Sequence, residues 1–237
     1  MGYLIAFDGI DASGKTTQAK ILEKKLRDAG KDVLYLTFPD YESESSSLVR
    51  LYLNGELGKN PDDVNAYAAS SFFAADRYVS YMTNWKSFYD KKDSIILANR
   101  YTTANAVHQL SKLPETKWDE FLDWLYDYEF KKLKIPKPDL TVLFDMHIDV
   151  SLRLIEERAK KTQSKKDIHE ADPRYLKKSY EAGQYAAKYL GWKKIVCYRK
   201  NESGMLVPKS EEEISEDLFE LVGRDDLGAP GDKNYKY

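Results

Sequence analysis

Residues Gly9-Ile10-Asp11-Ala12-Ser13-Gly14-Lys15-Thr16 have the spacing G-x-x-x-x-G-K-[ST], in which each residue type does part of one job. The glycines let the backbone curl so that successive N–H groups converge on a polyphosphate. A helix opening at Lys15 adds the positive end of its dipole. Lys15 is expected to reach the β- and γ-phosphates, and the Thr16 hydroxyl to ligate magnesium. The apolar run Tyr3 to Phe7 in front of the loop and the helical pattern behind it supply the strand and helix that the loop requires. An accidental glycine-rich turn has no reason to satisfy all three conditions, and the reading is a nucleoside-triphosphate site.

Such a loop works only at the edge of a layered fold, and the rest of the chain reads as one. Short β-rich runs at Tyr3–Phe7, Val33–Thr37, Ile95–Ala98, Leu140–Phe144 and Lys194–Tyr198 alternate with segments of helical period. That alternation predicts a five-stranded parallel sheet with helices on both faces. Helices are expected over Lys15–Ala29, Ser46–Leu53, Asp62–Tyr89, Thr102–Leu110, Trp118–Lys131, Val150–Lys161, Pro173–Leu190 and Glu211–Val222. Ligands of open parallel sheets bind beyond the carboxyl ends of the strands, so chemistry is expected just after Phe7, Thr37, Ala98 and Phe144. One domain spans residues 1–224, with a lid at about 160–172. The segment 225–237, rich in Gly, Asp and Lys without period, reads as a flexible tail.

The 237 residues are enough for one large core, and 37 basic against 39 acidic residues leave a net charge of −2. That balance excludes a polyanion-coating surface, so no nucleic-acid partner is expected. No apolar run reaches membrane-spanning length and no charged leader precedes an apolar stretch, which reads as a cytoplasmic protein without a membrane partner. The lone Cys197, inside an apolar run, reads as a buried strand residue.

Four further segments follow the strand ends or lie on the long middle helix: Thr37-Phe38-Pro39-Asp40-Tyr41, Asn99-Arg100-Tyr101, Pro138-Asp139-Leu140-Thr141, and Ser71-Phe72-Phe73-Ala74-Ala75-Asp76-Arg77-Tyr78. With the phosphate loop and Asp167-Ile168-His169-Glu170, they resemble the thymidylate kinase family from Tyr3 to about Trp192. That family has a phenylalanine four residues before an arginine in the long helix, D-R-[YH] after the third strand, F-P after the second, and D-R-x-E after the lid. The resemblance implies a P-loop kinase fold that passes the γ-phosphate of magnesium-bound ATP to dTMP, and a homodimer. Gly9, Asp11, Ala12, Ser13, Gly14, Lys15, Thr16 and Thr17 are the implied ATP contacts.

Two polyanions must be aligned for in-line attack, so cations should dominate such a site and no protein nucleophile is needed. Arg100 at a strand's carboxyl end is placed to fork onto the acceptor phosphate; the other reading is an ion pair to a neighbouring helix. Phe73 and Arg77, at i and i+4, share a helix face. The resemblance implies that Phe73 stacks on thymine and that Arg77 donates to its O4, while an aromatic among Tyr67, Phe72, Tyr78 and Tyr81 also reads as core. Asp76 reads as a surface salt-bridge partner. The resemblance assigns Asp11 to the 3′-hydroxyl of the deoxyribose and places Phe38, Pro39, Asn105 and His108 around the acceptor. His108 reads equally as a packed or hydrogen-bonded histidine.

Around Arg153, Arg158, Lys160, Lys161, Lys165 and Lys166 the chain is basic, as a lid that brings charge to the transition state must be. Ala12 stands where some family members carry an arginine, so the lid must supply the cation. Arg158 is the first choice, with Lys15, Arg100 and Asp11 in the catalytic group, and Arg153 the second. Two residues depart from the family pattern. Asn99 replaces the aspartate of D-R-Y: either it orients a magnesium-bound water as a neutral ligand, or activity is weakened, or magnesium leans on Thr16, Asp11 and Glu170 instead, and the plainer reading is a cap of the following helix. Ile168 replaces the arginine of D-R-x-E. Another nucleoside monophosphate kinase fits the same fold. A regulatory nucleotide switch calls for an N-K-x-D motif, which is absent from the sequence.

Overall fold

Strand β1 (Tyr3–Asp8) is buried beyond its first residue, with Ile5 and Phe7 in one apolar cluster and Leu4 and Ala6 in another. The two-residue period of a strand sends these pairs to opposite faces, so β1 needs cover on both sides. The computed structural model, which describes residues 1–162 and 173–224, supplies it. β2 (Val33–Thr37), β3 (Ile95–Asn99), β4 (Leu140–Asp145) and β5 (Lys193–Val196) join β1 in the order β2-β3-β1-β4-β5. All four pairings are parallel. Phe7 and Thr37 both pair with Asn99, so three carboxyl ends meet at one level. This is the expected five-stranded sheet.

The helices are α1 (Lys15–Asp28), α2 (Ser47–Leu53), α3 (Ala66–Ser80), α4 (Lys86–Tyr89), α5 (Thr102–His108), α6 (Trp118–Tyr126), α7 (Ile148–Thr162), α8 (Pro173–Tyr189) and α9 (Glu211–Arg224). Leu22 of α1, Ile155 of α7 and Leu218 of α9 cluster with Ile5, Phe7 and Val142 on one face. On the other, Tyr81, Trp85, Tyr89 and Tyr101 pack on Leu4, Ala6, Ile96 and Ala98, while Leu143 meets residues of α5, α6 and α8. Both faces are covered, as the alternation required.

Three boundaries differ from expectation. The helix expected over Asp62–Tyr89 starts at Ala66, where Asn65 caps it by accepting from Ala68 N at 2.9 Å, and it widens into a π-helical turn at Tyr81–Trp85. That turn lets Tyr81, Trp85 and Tyr89 stack edgewise, with ring centroids 4.7 and 6.0 Å apart, into one core. A second π-helical turn, Asp127–Lys132, ends the helix expected over Trp118–Lys131. An extra residue per turn leaves no mark in a hydrophobic period.

The third difference is at β5, which stops at Val196. Cys197 leaves the ladder, and Tyr198–Lys200 pairs antiparallel with Leu206–Pro208 across a turn closed by Asn201. These three-residue strands, β6 and β7, are too short to announce themselves by alternation. Cys197 is fully buried, and burial pushes its thiol up to about 12, so it has no reactive character. Most of the expected lid, 163–172, and the tail, 225–237, lie outside the described residues.

Candidate active site

The phosphate loop joins β1 to α1, as its sequence requires. Gly9 has φ 148°, and a Cβ there would lie 2.6 Å from the carbonyl oxygen of Phe144, so the close approach of loop and β4 demands glycine. Gly14, at φ 84°, is the left-handed N-cap of α1. Asp8 is fully buried, accepts from Gly9 N at 2.8 Å and from the Thr103 hydroxyl at 2.6 Å, and so ties the loop to α5. Burial pushes its carboxyl above the usual range, against the pull of Arg100. Lys15 is buried with Nζ 3.1 Å from Ile10 O; burial first and Arg100 second lower its pKa to about 8.

Beside the loop lies a cavity of about 200 Å³ lined by Asp11, Phe38, Phe73, Arg77, Arg100 and His108, with Pro39, Tyr41, Leu53, Ala104, Asn105 and Gln109 completing its wall. All the acceptor residues expected from the sequence line this one space. Asp11 stands at its junction with the loop: its Oδ1 is 2.5 Å from an Arg100 nitrogen and 4.0 Å from Lys15 Nζ. Arg100 adopts φ 64°, a strained conformation for a non-glycine residue. Its other Nη lies 2.6 Å from His108 Nε2. Guanidinium only donates, so Nε2 is the acceptor and that nitrogen carries no proton. His108 thus fixes Arg100, and its ring stacks on Tyr175 of α8 at 6.4 Å.

In the same cavity Phe73 is half-buried and meets Tyr52 edgewise at 6.2 Å, so its ring is braced from the protein side. Arg77, one turn on, is 1% exposed and forked onto Glu129 at 2.7 and 2.5 Å. Glu129, fully buried on the second π-helical turn, went unnoticed in the sequence reading. Its sequence signal is slight: one of several carboxylates in an aromatic stretch, 52 positions from its partner. Gln109 was also missed. It is 1% exposed, lines the cavity, and its Oε1 has no partner among the described residues. Asn105 lines the cavity too, but its amide is committed to Ser70 O and Glu129, both at 3.3 Å.

Several expectations need correction. Asp76 is not at the surface: 1% exposed, it accepts from Asp40 N, Ser45 Oγ and Ser46 Oγ at 3.0, 2.6 and 2.8 Å, and so shapes the Phe38–Tyr41 wall. Arg153 donates to Leu206 O of β7 and so leans on that hairpin. Arg158, on the same helix, lies near enough for its charge to be the smallest of the influences on Lys15. Asn99 does not cap α5, whose N-cap is Tyr101. Its Nδ2 lies 3.0 Å from Thr16 Oγ1 and 3.3 Å from Thr37 Oγ1, and its buried Oδ1 has no partner among the described residues. Asn99 is thus in contact with Thr16, and Asp11 is engaged by Arg100. Glu170 and the Asp167–Glu170 match lie outside the described residues.

A phosphate loop on a β2-β3-β1-β4-β5 parallel sheet, separated by one aspartate from a cavity with two arginines, defines a P-loop kinase. The thymidylate kinase family model matches residues 7–203. Thymidylate kinase of Mycobacterium tuberculosis is 33% identical over 160 residues, 66% of this chain and 70% of that one. A probable thymidylate kinase of Pyrococcus abyssi is 26% identical over 227 residues, 96% of this chain and 98% of its own. The solved thymidylate kinase of Candida albicans superposes with a TM-score of 0.66 over 96% of this chain and 94% of that one, at 20% identity, a likeness of fold. The chain belongs to the thymidylate kinase family.

Proposed function

We propose that this chain is a dTMP kinase, moving the γ-phosphate of ATP to dTMP and releasing dTDP and ADP. The observation that carries this reading is that one cavity is lined by a braced aromatic, Arg77 and Arg100 and adjoins the phosphate loop at Asp11. Phe73 supplies a flat face for the base, and Arg77 an N–H for a ring carbonyl, which cytosine's amine at the same position cannot accept. Arg100, held by Asp11 and His108, presents its fork to the acceptor phosphate. Lys15 and the loop amides hold the donor phosphates, and Arg158 adds positive charge from α7. A phosphate monoester is ionised near neutral pH, so no strong base is needed.

Thr16 and Asn99 fit a magnesium ion. Asn99 meets the Thr16 hydroxyl through its Nδ2, and its Oδ1, unpartnered among the described residues, is a neutral oxygen that could take a metal-bound water; magnesium in such sites keeps several waters and takes few protein ligands. Bound there, magnesium neutralises charge on the β- and γ-oxygens. A carboxylate holds a hard cation more strongly than an amide, so Asn99→Asp is expected to lower the magnesium concentration for half-maximal rate and for nucleotide-dependent thermal stabilisation. Superimposable magnesium curves for the two proteins would leave Asn99 outside the metal site.

Lys15 sets a pH dependence. Polyphosphate favours its ammonium form, so binding takes up a proton once the free protein's lysine begins to lose one. ATP affinity, measured in EDTA, is therefore expected to be flat below pH about 8 and to weaken as pH rises above it. An affinity that holds constant to pH about 9.5 would contradict this.

The homodimer belongs to the same proposal, as does work in the cytoplasm. Ser70 and Ala74 of α3 face the core. The exposed side of α3 and the turn after it instead carries Ala75, Tyr78, Val79 and Met82, a stripe in which Met82 is 49% exposed. Among the described residues no helix is long and apolar enough to cross a membrane. A coupled ADP-release assay with dTMP, dUMP, dCMP, dAMP and dGMP tests the base assignment. Preference for dTMP supports it; preference for dCMP or a purine nucleotide would replace it with another monophosphate kinase.

A further inference from the structure

The cavity holds two arginines whose counter-charges differ in kind. Arg100 meets Asp11, a carboxylate at the cavity's edge with partial exposure. Arg77 meets Glu129, which is 0% exposed and saturated: Oε1 accepts from Arg77 Nη2 and Asn105 Nδ2, and Oε2 from Arg77 Nε and Thr102 Oγ1 at 2.7 Å. With Nη1 also 3.3 Å from Tyr101 O, three of the five guanidinium N–H groups are committed, and the plane of the group is fixed. The buried ion pair is neutral as a unit, so the base end of the cavity offers a directed donor without a net charge.

We propose that Glu129 is the positioning residue that sets which way round the acceptor nucleotide binds and which base it carries: it aims Arg77 at a ring carbonyl and cancels a charge that would otherwise compete with Arg100 for the phosphate. The inference rests on the dTMP kinase reading above. Stability alone gives no reason for the arrangement, because an apolar pair of similar volume packs a core at least as well as a buried ion pair. Placing one carboxylate under both the base-facing arginine and the helix α5 that follows Arg100 ties the two ends of the acceptor site together.

The test is steady-state kinetics on the full chain. Glu129→Gln keeps the shape and removes the charge. It is expected to raise KM for dTMP about tenfold or more with KM for ATP unchanged, and to reduce the dTMP-over-dCMP preference in kcat/KM by a similar factor. Inorganic phosphate, competing against dTMP, is expected to inhibit this variant several-fold more strongly than wild type, because an uncompensated guanidinium attracts anions. A loosened fold alone would weaken both dTMP and phosphate. Glu129→Asp, which retains the charge but reaches less far, is expected to lose base preference without the gain in phosphate inhibition. If Glu129→Gln does not fold, Glu129→Asp and Thr102→Val, which removes one donor to Oε2, decide on base preference. A folded variant with wild-type dTMP KM, base preference and phosphate inhibition overturns the proposal. A wild-type protein that does not phosphorylate dTMP overturns the kinase reading instead, which the same assay reports separately.

Discussion

Lys15→Ala is expected to lower phosphoryl transfer by about 10²–10³-fold or more while leaving the chain folded. The side chain touches Ile10 O and faces Asp11, so its charge serves the donor phosphates and little else. The sign of the stability effect follows from the lysine's pKa, lowered by burial to about 8. The unfolded chain binds more protons than the folded one between that value and the ordinary lysine value. The ammonium therefore costs stability below pH about 8, and the cost disappears as pH rises through that window. At neutral pH the alanine variant should melt no lower than wild type. Turnover near wild type would remove the donor-site assignment, and a large loss of melting temperature would mean that Lys15 is structural.

Arg100→Lys should give the second-largest loss. The guanidinium bridges Asp11 and His108 and keeps a planar fork at the cavity, whereas an ammonium is a point charge that cannot serve both partners and a phosphate. Loss of one or more charge-assisted hydrogen bonds, at about 1.5–3 kcal/mol each, corresponds to roughly 10–150-fold in kcat/KM for dTMP. ATP affinity should change little. Equal kcat/KM for the two proteins would assign Arg100 to structure, and an equal loss in ATP affinity would move it to the donor site.

The phosphate loop was legible because eight contiguous positions carry its chemistry, and the sheet because buried parallel strands read as short apolar runs between helical periods. Phe73 and Arg77 were legible as neighbours from helix geometry alone. What the chain concealed depends on contacts across the fold. Glu129 meets Arg77 from a π-helical turn that no periodicity reveals. Asp76 reads as a surface charge until the segment after β2 folds over it and supplies three donors. Arg153 sits on α7, and its contact with the β6–β7 hairpin stays hidden because those strands are only three residues long. Asn99 was legible at the strand end, but that it meets Thr16 and leaves the cap of α5 to Tyr101 needed the fold.

The account's central claim is that phosphate passes from ATP to a nucleotide held in the cavity beside Asp11. Incubating the chain with magnesium, γ-labelled ATP and dTMP, then separating nucleotides from inorganic phosphate, measures this directly. The prediction is label in the β-position of dTDP, one per ADP formed, with little free phosphate. Label released as inorganic phosphate at the same rate with or without dTMP, and none in dTDP, would contradict the account and define a nucleotide hydrolase on the same fold.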